Sequence, residues 1–120
     1  MDYNEDTFAT IGDSVDDFNI LKDYLHNQGF ERENLEHLVK AQYGNTIDMF
    51  ILHLFGAKIE VTCLIEYKTG EFFYEYVCYK NENDIFMDGM RPEISYSVEV
   101  VMEWIKNQIK KIVSAENAKN

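Results

Sequence analysis

The chain has 120 residues, 46% of them hydrophobic and 14% aromatic, with one Pro and six Gly. That is enough apolar material for one domain's core, and too little Pro and Gly for a collagen-like or low-complexity chain. Twenty-two acids against eleven Lys and Arg give a net charge of −11, which disfavours non-specific nucleic-acid binding and anionic membrane surfaces, because both need cations.

The longest apolar stretch, 49–55, is broken by His53 and is far too short to span a bilayer. Met1 leads into Asp2, Glu5 and Asp6, the wrong charge for the start of a signal peptide. Cys63 and Cys78 are the only cysteines and no CxxC is present. A cytoplasmic protein with reduced thiols, both packed as small hydrophobes, is the expectation, with a disulfide between neighbouring strands as the alternative.

Residues 1–13 read as an acidic N-terminal arm carrying Tyr3, Phe8 and Ile11. Ser14 is expected to cap a first helix, with Asp16 and Asp17 in its first turn, where the helix dipole favours anions. Val15, Phe18, Leu21 and Leu25 make its apolar stripe, and Gly29 ends it. A second helix is predicted over 32–42, with Leu35, Leu38 and Val39 buried, so the two should form an αα-hairpin.

The period then changes from 3.6 to 2. Strands are predicted over 46–54, 58–67 and 71–79, joined by a tight hairpin at Phe55-Gly56 and a turn at Lys68-Thr69-Gly70. In the second strand Ile59, Val61, Cys63, Ile65 and Tyr67 share one face, and Lys58, Glu60, Thr62, Leu64 and Glu66 share the other. A three-residue turn opposes Ile65 to Phe73 and sends Phe72, Tyr74 and Tyr76 to the Glu60/Glu66 face. A four-residue turn opposes Ile65 to Tyr74 and reverses that assignment. In both cases one face carries aromatics beside carboxylates.

Residues 80–95 read as a long polar connection in which 84–87 offers a fourth, edge strand. Ser95 or Ser97 should cap a last helix with Val98, Val101, Ile105, Ile109 or Gln108, and Ile112 along one stripe. Residues 115–120 should fray. The predicted fold is therefore α+β within one domain spanning 1–120: an αα-hairpin, a three- or four-stranded antiparallel meander, and a C-terminal helix packed on the sheet.

The six glycines are well separated, which excludes the P-loop and dinucleotide fingerprints. No GxSxG, HExxH or EF-hand loop occurs. Glu33 and His37 lie four apart on the predicted second helix, a spacing that more often marks a solvated face than a metal site. His53 reads as a partly buried, hydrogen-bonded strand residue. No catalytic residue, cofactor or metal is expected, and the chain does not read as an enzyme.

Charge is the outlying feature. Helix starts account for Asp16, Asp17, Glu31, Glu33 and Glu99. Solubility asks for a net charge of only about 2–8 in a small domain. At the charge spacing of duplex DNA, the carboxylates of this chain correspond to roughly 37 Å of helix axis. The acids are unevenly spread: residues 1–60 hold 12 acids and 4 bases, whereas residues 100–120 hold Glu103 and Glu116 against Lys106, Lys110, Lys111 and Lys119.

The candidate binding residues are Asp2, Glu5, Asp6, Asp13, Asp16 and Asp17 toward the N-terminus. Glu60, Glu66, Glu71 and Glu75 follow on the sheet, and Glu82, Asp84 and Asp88 in the long connection. Carboxylates would steer a basic protein partner, and Tyr and Phe would supply contact area. This small, acidic, aromatic-rich and motif-free composition is similar to that of phage-borne inhibitors of bacterial defence nucleases, anti-CRISPR proteins among them. The resemblance implies a non-catalytic inhibitor that occupies a basic groove as a nucleic-acid mimic, binding neither nucleic acid nor membrane itself. The alternative expectation is an immunity protein, or a small acidic chaperone of the type III secretion kind, which mixes helices with an antiparallel sheet and dimerises.

Overall fold

The computed structural model describes residues 5–33, 44–66, 68–80 and 92–119, with side chains from Val15 in the first helix and from Thr46 in the strand that begins at Gly44. The order is α1 (Glu5–Asn27), β1 (Glu31–Arg32), β2 (Gly44–Leu54), β3 (Ala57–Glu66), β4 (Phe72–Tyr79), β5 (Glu93–Ser95) and α2 (Val98–Ala118). The strands form one antiparallel sheet in the order β1-β2-β3-β4-β5. The fold is α+β, with α2 packed on the sheet.

Expectations of element bounds and strand number are corrected. Helix α1 begins at Glu5 rather than at Ser14, so most of the expected acidic arm is helical; Glu5 and Asp6 in its first turn suit the dipole. The expected αα-hairpin is not shown: Arg32, the expected start of a second helix, lies in β1 opposite Phe50, Glu33 lies outside any helix, and 34–42 fall outside the described residues. Among the described residues the sheet has five strands, because Glu31–Arg32 and Glu93–Ser95 extend it at both edges. The expected edge strand at 84–87 lies outside the described residues. Helix α2 continues to Ala118, well into the 115–120 tail that was expected to fray. Its other end follows expectation: Ser97 Oγ accepts from the Val100 N–H at 3.3 Å, satisfying one of the first turn's free donors.

The β2–β3 hairpin turns on Phe55 (φ 50°) and Gly56 (φ 82°). Two consecutive positive φ angles are the requirement of a type I′ turn, whose twist matches that of the flanking strands. At the other end of β3, the Glu66 N–H donates to the Glu71 carbonyl at 2.9 Å and the Gly70 N–H to the Glu66 carbonyl at 3.0 Å. Ile65 therefore opposes Phe72, and Val61 opposes Tyr76. Neither expected pairing occurs, but the division of faces is that of the four-residue turn. Tyr74 and Tyr76 join Ile59, Val61 and Cys63 on one face. Phe73, Glu75 and Val77 join Glu60, Thr62 and Leu64 on the other.

The first face is covered by both helices. Leu21 and Leu25 of α1, with Val98, Val101 and Ile105 of α2, close over Phe50, Leu52, Ile59, Val61, Tyr74 and Tyr76. Phe18 meets Phe72 edge-on at 5.6 Å between ring centroids, and Tyr76 meets Trp104 at 4.8 Å, arrangements that suit the ring quadrupoles. Val15, expected in the core, is exposed. Cys63 is buried, Cys78 is half-buried, and both are free thiols.

Asp48 is a buried carboxylate, 2% exposed, on the helix-covered face. A bulge explains its position: Ile47 adds a residue between the Thr46–Leu64 and Asp48–Cys63 pairs, which reverses the strand's alternation from there on. The Asp48 carboxylate accepts from Arg32 Nε at 2.6 Å and from the Met49 N–H at 3.2 Å. A buried charge is tolerated only when paired and hydrogen-bonded. This pair fastens the two-residue β1 to the sheet.

Ile105 is fully buried, with 0% exposure, between α2 and the sheet. Ile105→Ala should lower unfolding stability by about 2–5 kcal/mol, through lost transfer energy and a residual cavity. Urea denaturation of both proteins checks this; an unchanged midpoint would mean that α2 does not dock as described.

Candidate acidic and aromatic face

Among the described residues, the expected carboxylates fall into three groups. Glu66, Glu71 and Glu75 gather on the face of the sheet opposite the helices, around the β3–β4 turn and the neighbouring edge strand. Glu60 shares that face but is ion-paired with Lys58 at 3.1 Å. Asp16 and Asp17 are exposed on α1. Glu5, Asp6 and Asp13 lie along the backbone of α1, and their side chains fall outside the description, as do Asp2, Glu82, Asp84 and Asp88.

The first group is built by local geometry. Antiparallel pairing sets Glu66 beside Glu71, and Glu75 lies two same-face positions further along β4. Strand β5 then places Ile94 opposite Glu75. Beyond it Tyr96 packs its ring against Phe73, with centroids 5.8 Å apart. The Tyr96 hydroxyl donates to Glu66 Oε2 at 2.7 Å, and the Thr69 hydroxyl donates to the same oxygen at 3.3 Å. The Glu71 N–H donates to Thr69 Oγ1 at 3.2 Å, so turn and carboxylates are held as one unit. Ile94 is 56% exposed and Tyr96 57%. Lys68, in the turn, makes no ion pair among the described residues with these acids.

The electrostatics follow from this arrangement. The hydrogen bond to Glu66 holds the Tyr96 proton and raises the phenol's pKa, with slight burial and the charges of Glu66 and Glu71 adding to it. Burial raises the pKa of Glu75, since a carboxylate in a poorly solvated setting is disfavoured in its charged form. Burial likewise raises the Cys63 thiol, with Asp48 adding and Lys22 opposing, which makes Cys63 a poor nucleophile.

Sequence reasoning identified Glu66, Glu71 and Glu75 but missed Tyr96 and Ile94. The alternation of Ile94 and Tyr96 with Glu93, Ser95 and Ser97 was a legible period of two, hidden inside a stretch read as connection. His53 is exposed beside the hairpin, not partly buried as expected. No group of three or more His, Cys, Asp or Glu is placed to hold a metal among the described residues. Glu33 lies outside any helix and His37 outside the described residues. No helix among them is long and apolar enough to cross a membrane. Comparison with protein-family models, curated proteins and solved structures finds no match.

Two outcomes are expected. The folded state binds the Glu75 proton more tightly than the unfolded chain, so ionisation of Glu75 costs stability as pH rises through its raised pKa. Glu75→Gln should therefore raise the melting temperature at neutral pH. The gain should vanish once pH falls below about 4, where both states are protonated. Melting curves across that range check it. Second, replacing the Glu66 carboxylate by an amide should bring the Tyr96 phenol back toward its ordinary range. Ultraviolet absorbance titration of Glu66→Gln against the native protein, with Tyr96→Phe to assign the signal, measures this.

Proposed function

We propose that this protein is a small, non-catalytic, acidic binding protein. It occupies the basic groove of a nucleic-acid-handling protein, such as a bacterial defence nuclease, in place of the nucleic acid. The observation that carries this reading is the grouping of Glu66, Glu71 and Glu75 around exposed Tyr96 and Ile94. Acids on a sheet face steer a basic partner over distance, and the aromatic and aliphatic side chains among them give it desolvated contact.

The test begins by capturing a partner from host lysate on the immobilised protein and measuring association across a salt series. Reversing Glu66, Glu71 and Glu75 to Lys should slow association by about 10-fold or more and flatten its salt dependence, because steering contributes 10–10³-fold to on-rates. The captured partner should lose nucleic-acid binding in the presence of the native protein and keep it with the reversed variant. Unchanged affinity and salt slope in the variant would remove this face from the interface.

A further inference from the structure

The C-terminal half of α2 and the β2–β3 hairpin enclose an open cleft of about 380 Å³, within the range of small-molecule sites. Its apolar walls are Phe55, Ala57, Ile112 and Ala115, and Cys78 lies among them. Lys80 comes to it from the end of β4, and Lys111 and Lys119 from α2. Lys119 is occupied by Glu116 at 3.4 Å. Lys80 and Lys111 make no ion pair among the described residues, and both bear electrostatically on the Cys78 thiol, opposing the rise that burial causes.

We propose that this cleft binds an amphipathic anion: a small molecule with an apolar body and a single carboxylate-type head. The proposal is independent of the acidic-face reading. Two observations support it. The first is charge. A chain of net charge −11 brings Lys80 and Lys111, neither ion-paired among the described residues, from two separate elements to the mouth of an apolar cleft. The dipole at the C-terminal end of α2 gives Lys119, its C-cap, an ordinary reason to be there, but it gives none for Lys111, well before the last turn, or for Lys80, just past β4. The second is Phe55. Its φ of 50° is a conformation that a bulky side chain adopts only at a cost, and the turn it forms is best served by Asn. The residue is nonetheless 58% exposed and forms one wall of the cleft. Hydrocarbon placed between Phe55 and Ile112 would bury that side chain, and its anionic head would meet Lys80 and Lys111.

The experiment uses the full chain and three ten-carbon probes kept below micellar concentration: decanoate, neutral decanol and decyltrimethylammonium. Binding is read by calorimetry and by alkylation of Cys78 with uncharged iodoacetamide, mapped by mass spectrometry. Cys63, 1% exposed, serves as the unreactive internal reference. Each variant is compared with its own unliganded rate, because the lysines themselves influence the thiol. Decanoate should protect Cys78 saturably and bind more tightly than the other two probes. Lys80→Gln combined with Lys111→Gln should weaken decanoate by about tenfold or more, as expected for two lost charge-assisted contacts, and leave decanol unchanged. Phe55→Asn should weaken decanoate while the melting temperature stays level or rises. The proposal is overturned by absent protection, by decanol or the cation binding as tightly as decanoate, or by native affinity in either variant.

Discussion

The pairing of Ile65 with Phe72 decides what this molecule shows to its surroundings. Strand β4 alternates between two sets of side chains of nearly equal bulk. With the observed pairing, Tyr74, Tyr76 and Phe72 turn toward α1 and α2, and Glu71, Phe73 and Glu75 turn away. A one-residue slip would exchange the sets. Glu75 would then lie beneath the helices, where an unpaired carboxylate is strongly disfavoured. Tyr74, at 1% exposure one of the largest fully buried side chains among the described residues, would lose its burial. The same asymmetry that fills the core therefore delivers three carboxylates to the opposite face.

That asymmetry explains which parts of the fold were legible. Long elements with a sustained period were readable: the β2–β3–β4 meander, the Phe55-Gly56 turn and the apolar stripe of α2 with its Ser97 cap. The face division of β4 was not, because both of its alternating sets contain aromatics and the turn length sets the register. The edge strands were also not read. The two residues of β1 carry no period of their own, the short alternation at β5 was hidden inside a stretch read as connection, and both pair because an existing edge offers unpaired backbone groups. For β1 the fastening contact joins Arg32 to Asp48, sixteen residues apart, and nothing local announces it. The early start of α1 was masked by Ser14, a good capping residue that lies within the helix instead.

The candidate site inherits these limits. Glu66, Glu71 and Glu75 could be nominated because acids were conspicuous, but so could ten others. Their convergence depends on the Glu66–Glu71 closure and on β5, which brings Ile94 and Tyr96 alongside. Glu60 shows how little composition alone decides: it lies on the same face, yet Lys58 neutralises it, and the Lys58 ammonium also sits 4.9 Å from the Tyr79 ring centroid.

Charge in this molecule is therefore separated rather than merely excessive. The acidic face lies at the β3–β4 turn, on the side away from the helices. The lysine-rimmed cleft lies at the β2–β3 hairpin, beside α2. Nine residue steps of β3 lie between them, roughly 30 Å at strand rise. The Debye length at physiological ionic strength is about 8 Å, so neither charge cluster feels the other through solvent. Net repulsion of anions by the whole chain is screened over the same distance, which is how a locally cationic cleft can operate on a strongly acidic protein. Any influence of one end on the other has to pass through the β3–β4 ladder itself. That ladder is buried at its centre on both faces by Val61 and Tyr76 on one side and by Leu64 and Phe73 on the other, and close-packed interiors of this kind resist continuous deformation. The two ends are thus mechanically joined but electrostatically independent, and a ligand at one should leave the salt dependence of binding at the other unaltered.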